Sequence, residues 1–192
     1  MTFTLYGRYL KRVLDLIAAA SALLVASPVM LLVAIAVKLE DGGPAIFRQT
    51  RVGRAGQPFT LLKFRSMPVI TPNVPSASAR HITLTTVGRF IRRTNLDELP
   101  QLVNVLRGEM SLIGPRPALP SQHELLELRA AGSVLSVRPG LTGLAQVNAF
   151  DGMTNEQKVQ WERRYVARIT LAGDLLIVVR TIAYLFRPPP VY

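Results

Sequence analysis

The chain has 192 residues, with 23 Lys+Arg against 12 Asp+Glu and a formal charge of +11 at pH 7, yet 49% of its residues are hydrophobic. That apolar content excludes a disordered basic tail, and it argues against an ordinary soluble nucleic-acid binder because so much apolar surface needs a place to go. With no cysteine and only two histidines, His81 and His123, disulfides, thiolate chemistry and Cys/His zinc sites are out, and any metal would be a hard cation on carboxylates.

Residues 16–37 are 22 uncharged residues in a row, LIAAASALLVASPVMLLVAIAV. As a helix this run covers about 33 Å, enough to cross a bilayer, so a single-pass anchor is the simplest reading. Two features favour a helix–break–helix that dips into the membrane and returns. Ser27-Pro28 sits at the midpoint, where proline removes a backbone donor and the Ser27 hydroxyl can serve the freed carbonyl. Cations also flank both ends: Arg8, Lys11 and Arg12 before, then Lys38, Arg48, Arg51 and Arg54 after. A spanning helix cannot place both flanks on the positive-inside face, whereas a re-entrant hairpin can. Asp15, four residues after Lys11, reads as an interfacial ion pair.

Asp41-Gly42-Gly43-Pro44 ends this helix. Residues 45–49 and 58–65 read as two short strands around a turn at 54–57. Residues 67–79, rich in Pro, Ser, Thr and Val without periodicity, read as a mobile loop. Helices are expected at 86–93, at 96–106 with Asn95 as its cap, and then at 121–131, 155–168 and 172–186. The expected architecture is α+β and mostly helical. It comprises a membrane hairpin over 1–40, a globular domain with a small β-hairpin over 41–187, and a tail over 188–192.

Charge is distributed unevenly. Between Asp41 and Asp97 there is no acidic residue, while Arg48, Arg51, Arg54, Lys63, Arg65, Arg80, Arg89, Arg92 and Arg93 supply nine cations. Such a run needs an anionic neighbour: lipid headgroups, a polyphosphate or nucleic acid. Asp97 and Glu98 end it. One reading makes them first-turn carboxylates complementing a helix dipole. The other makes them a pair that holds a divalent cation and attacks a phosphate, oriented by the cations just upstream, Arg92 among them. Arg116, fixed between Pro115 and Pro117, and Arg138, ahead of Pro139-Gly140, are rigid arginines that suit phosphate, or else surface residues near turns. Lys63 on FTLLKFR either snorkels at a sheet edge or points into the same site. Trp161 and Tyr165 read as packing residues, Asp174 as a first-turn carboxylate, and Glu109, Glu124 and Glu127 as solvated charges.

Taken together, KRVLD (11–15), the Ser27-Pro28 break, GGPAIFRQTRVGRAGQPFTLLKFRSM (42–67), LDELPQLVNVLRGEMSLIGPRP (96–117), RPGLTGLAQVN (138–148) and the Tyr165/Asp174 helix pair resemble the bacterial sugar transferases. More narrowly, they resemble the monotopic polyprenol-phosphate phosphoglycosyl transferases, over residues 9–182, and the chain looks like their minimal catalytic unit. The resemblance implies an Mg²⁺-dependent enzyme on the cytoplasmic face of a bacterial inner membrane. Such an enzyme moves a sugar 1-phosphate from a nucleotide sugar, usually a UDP-sugar, to undecaprenyl phosphate. The products are a polyprenyl diphosphosugar, handed to downstream glycosyltransferases of a surface glycan or exopolysaccharide pathway, and UMP. Carried over, Asp97 is a nucleophile forming a covalent phosphosugar intermediate, Glu98 positions Mg²⁺ and phosphates, and Lys63, Arg92, Arg116 and Arg138 hold anionic substrate. The sequence departs from the pattern at Asn95, where serine is common, and at Ala149-Phe150, where Gly-Arg is common. It departs again at Glu162, which replaces an aspartate, and across 67–79. The alternative is a non-catalytic basic protein on an anionic phospholipid membrane. No nucleic-acid partner is expected, because the phenylalanines within the basic run, Phe47, Phe59, Phe64 and Phe90, read mostly as core.

Overall fold

The computed structural model describes residues 6–69, 71, 84–148 and 153–185. A π-helical turn, Tyr6–Leu10, leads into the 31-residue helix α1, Lys11–Asp41. Its buried positions Lys11, Asp15, Ala19, Val33 and Val37, with the partly buried Leu23 and Met30 between, follow a three-to-four spacing, so one stripe faces the protein throughout. Pro28 lies inside α1, and helix runs on through Ser27-Pro28, where a break was expected. Pro28 cannot donate to the carbonyl four residues back, Leu24; the Ser27 hydroxyl donates to it instead, at 2.8 Å, so the turn stays satisfied and helical. Gly42 ends the helix in the left-handed region (φ 73°) with its N–H on Lys38 O, as the Asp41-Gly42-Gly43-Pro44 signal predicts.

Strands β1 (Ile46–Val52) and β2 (Pro58–Phe64) form an antiparallel hairpin around a 3-10 turn, Arg54–Gly56. Phe47 stands opposite Lys63, Gln49 opposite Leu61 and Arg51 opposite Phe59, so these six side chains share one face. β2 receives both ends of α1. Leu61 packs in a cluster with Ala19, Leu102, Val105 and Met110, and Phe64 packs in another with Val33, Val37 and Ile91.

Helix α2, Thr86–Arg93, follows, capped by the Thr85 hydroxyl. It crosses the end of β2 so closely that a Cβ on Gly88 would lie 2.0 Å from Ser66 O. The helix expected over 96–106 is two pieces: a 3-10 turn, Leu96–Glu98, and α3, Gln101–Leu106. Pro100 is the reason, since a helix beginning at Leu96 would need its missing N–H. Asn95 does not cap with its side chain; it takes left-handed backbone angles (φ 55°, ψ 15°) and turns the chain instead.

A short parallel pair was not legible: β3, Ser111–Ile113, lies beside β4, Gly140–Thr142. Helices α4 (His123–Ala131), α5 (Leu144–Asn148), α6 (Asn155–Ala167) and α7 (Leu171–Leu185) complete the domain. Buried Arg129 on α4 and Glu162 on α6 meet in a two-bonded ion pair. Asp174, at the start of α7, is more than a first-turn charge: it accepts from Lys11 Nζ (2.8 Å), Tyr6 OH (2.7 Å) and Tyr165 OH (3.0 Å). Lys11 also lies 3.7 Å from Asp15, the expected pair, and Asp15 accepts from Ser111 Oγ at 2.7 Å. Glu109 is likewise no solvated charge, because Asn104 donates to it at 2.6 Å. His81, Ala149-Phe150, the tail over 188–192 and most of the 67–79 loop lie outside the described residues.

Candidate active site

The 3-10 turn between α2 and α3 places Asp97 and Glu98 on consecutive positions, about 120° apart around its axis. Both aim at the shared face of the β-hairpin. Lys63 Nζ donates to Glu98 Oε1 at 2.7 Å and stands 3.9 Å from Asp97 Oδ2. Arg116 Nη2 donates to the same Glu98 oxygen at 3.0 Å. Lys63 therefore points into the site and not to a sheet edge.

The two carboxylates are driven in opposite directions. Asp97 is only 8% exposed, and burial pushes its carboxyl up, against the pull of Lys63. Burial acts the same way on Glu98, but there Lys63 and Arg116, by charge and by hydrogen bond, outweigh it and hold the carboxyl down at about 2. Adjacent acids split in this way are fitted for different tasks, one a permanent anion and one a less stabilised, more basic carboxylate.

Asn104, on α3 and fully buried, keeps this arrangement in register. Its amide donates to Thr60 O at 2.7 Å and accepts from Leu62 N at 3.1 Å, gripping β2 on one side of Lys63 from the helix that follows Asp97 and Glu98. Arg92, on α2, donates to Ser66 Oγ at 2.8 Å, and its charge favours ionised Asp97. The β3–β4 pairing joins the loops of Arg116 and Arg138, since Gly114 N donates to Thr142 O and Gly140 N to Pro115 O, both at 2.8 Å. Arg138 nevertheless makes its contact elsewhere, donating from Nε to Gly108 O at 2.8 Å.

One residue of the site escaped sequence reasoning. Arg51, on the Lys63 face, donates to Pro117 O at 3.1 Å and to Gln49 Oε1, and its Nε is buried without a partner. Burial and the Arg116 guanidinium pull its pKa down to about 10, with Glu98 acting in the opposite sense. Its signal was alternation, since Arg51 and Gln49 fall two apart on a strand facing FTLLK.

Asp97 and Glu98 are hard-oxygen donors, and no group of three or more Asp, Glu, His or Cys side chains that could hold a metal occurs among the described residues. Mg²⁺ fits such a pair, because it keeps several waters and takes further ligands from substrate phosphates.

Residues 6–188 match the family described as bacterial sugar transferase. The chain is 43% identical over 191 residues to a UDP-glucose:undecaprenyl-phosphate glucose-1-phosphate transferase of Caulobacter vibrioides, covering 95% of this chain and 72% of that protein. It is 39% identical to the exopolysaccharide production protein ExoY of Rhizobium meliloti, over 92% of this chain and 85% of that one. It is 38% identical to an undecaprenyl-phosphate galactose phosphotransferase of Salmonella typhimurium, over 97% of this chain but only 42% of the relative's length. A family match over nearly the whole chain, and relatives at this identity, establish that the chain belongs to the bacterial sugar transferases.

Proposed function

We propose that the chain is a phosphoglycosyl transferase that moves a sugar 1-phosphate from a UDP-sugar to undecaprenyl phosphate, with Asp97 as nucleophile. The observation that carries this reading is the Asp97–Glu98 pair, buried among Lys63, Arg116 and Arg51 and split in acidity. The names of the glucose- and galactose-transferring relatives supply the substrate classes.

In the first step an Asp97 carboxylate oxygen attacks the phosphorus that bears the sugar. The bridging P–O bond breaks, and UMP leaves with the bond's electron pair, giving an aspartyl phosphosugar. In the second step an oxygen of undecaprenyl phosphate attacks that phosphorus, the Asp97 O–P bond breaks, and Asp97 is regenerated. Burial leaves Asp97 poorly solvated and so more nucleophilic, while the Lys63 charge favours its ionised form. Arg116 and Arg92 are placed to offset phosphate charge as it accumulates. Asp97 and Glu98 would hold Mg²⁺, which when bound neutralises charge on the phosphates.

The chain's seating supports a site at headgroup level. Both ends of α1 rest on one domain through Leu61 and Phe64 of β2, whereas the ends of a spanning helix stand about 30 Å apart across hydrocarbon. Along its middle, Leu24 (76%) and Val25 (80%) are exposed, and α7 exposes Leu175, Leu176, Val179 and Ile182. Apolar surface on this scale fits a lipid environment. We therefore read α1 as entering and leaving the membrane on the cytoplasmic side, among anionic phospholipids.

The test is UMP release from UDP-glucose and UDP-galactose by purified protein with undecaprenyl phosphate and Mg²⁺, with intact-mass detection of a phosphosugar adduct. Prenol-dependent release and an adduct, both lost in Asp97→Asn, are the expected result. Release that survives Asp97→Asn overturns the covalent route. Absence of turnover with every donor, together with vesicle binding that tracks anionic lipid content, returns the chain to a non-catalytic membrane-surface role.

A further inference from the structure

Among the described residues Arg51 has no carboxylate within ion-pair distance and a buried Nε without a partner, yet its guanidinium is held firmly at both hydrogen-bonded ends. One end grips Gln49, a buried side chain two residues back on the same strand. The other donates to Pro117 O, the carbonyl next after Arg116 in sequence, at 3.1 Å. Immediately beyond, Val52 N donates to Ala118 O at 2.9 Å, so the end of β1 is stitched to the Arg116 loop at two successive residues. The backbone stitch fixes the height of the loop, and the guanidinium fork fixes its lean toward the hairpin face. That lean sets where the Arg116 side chain, half exposed and bonded to Glu98, meets an incoming anion.

We propose that Arg51 is a positioning residue for the transfer, aligning Arg116 on the phosphates of the nucleotide sugar by clamping the carbonyl of Pro117 to β1. The inference rests on the transferase reading above. Its geometry calls for the fork and not merely the charge: a lysine ammonium is a compact point donor and cannot present the planar pair of N–H groups that spans Gln49 Oε1 and Pro117 O. Arg51 thus acts on the reaction through another residue, and a double-mutant cycle is the direct way to see it.

The experiment measures kcat and KM for the UDP-sugar in wild type, Arg51→Met, Arg51→Lys, Arg116→Ala and the Arg51→Met/Arg116→Ala double variant, with thermal melting of each. The expected result is a loss of about 10- to 100-fold in kcat/KM for Arg51→Met, only partly restored by Arg51→Lys. In the Arg116→Ala background the same change costs less than about threefold. Arg51→Lys keeps a cation in place and so guards against a variant that fails to fold. Full activity in Arg51→Lys overturns the proposal by showing that charge alone suffices. Losses that simply multiply in the double variant also overturn it, since Arg51 would then act independently of Arg116. Active wild type with either outcome sinks this inference alone, whereas inactive wild type sinks the functional reading and this inference with it.

Discussion

Glu98→Gln tests the electrostatics of the site without touching its shape. The Glu98 carboxyl is held from an ordinary 4.5 down to about 2, because Lys63 and Arg116 outweigh its burial. At about 1.4 kcal/mol per pH unit, that depression ties about 3 kcal/mol of folding stability to the ionised form. A carboxyl depressed by folding contributes its full stability above its unfolded value and loses it as pH falls through the folded one. The contribution is therefore complete above about pH 4.5 and vanishes toward pH 2. Glutamine keeps the side chain's size and one acceptor but leaves Lys63 and Arg116 facing a neutral amide, so about 3 kcal/mol is the most the substitution removes. The protein's single tryptophan, Trp161, sits on α6 beneath the Arg164 guanidinium, 4.7 Å from its ring centre, and reports unfolding away from the site. Urea unfolding of detergent-solubilised protein, followed by Trp161 fluorescence, should show Glu98→Gln destabilised at pH 7 and indistinguishable from wild type near pH 2. Equal midpoints at pH 7, or a difference that persists undiminished at pH 2, would refute the reasoning.

Asp97→Asn should behave in the opposite sense. A carboxyl raised by burial costs stability when ionised, so the variant melts no lower than wild type at neutral pH while transfer falls on the order of 10³-fold or more. Gly88→Ala would drive a Cβ into Ser66 O, and calorimetry should show a loss of about 1–3 kcal/mol. Arg129→Met leaves Glu162 buried without its partner and should cost about 3–5 kcal/mol, much of it regained in the double variant Arg129→Met/Glu162→Leu.

The sequence made most of the helices and the hairpin legible because their signals are local. The apolar run of α1, the glycines that end it and the alternation in FTLLKF each act within a few residues. What it hid depends on distant partners or on single backbone vetoes. β3 and β4 are three residues each, and their pairing is set by contact between loops some thirty residues apart in the chain. Pro100 split an expected helix because its missing donor outweighs the helical character of Leu96 to Leu106. Within the site, adjacency singled out Asp97 and Glu98. Arg51 looked like any of nine cations until the fold enclosed it, and Arg138 was expected beside the phosphate holders but bonds Gly108.

The stripe along α1 bears on how the protein can be handled. Ala19 closes the cluster around Leu61 and Leu102, and Val33 with Val37 closes the one around Phe64 and Ile91. A truncation that begins after Asp41 would not release a water-soluble catalytic fragment. It would open both clusters, bare both faces of the strand that carries Lys63, and take Lys11 and Tyr6 from Asp174 and Asp41 from Arg65. The long helix is thus a wall of the domain, and detergents or nanodiscs that loosen it should be expected to disturb the chemistry itself.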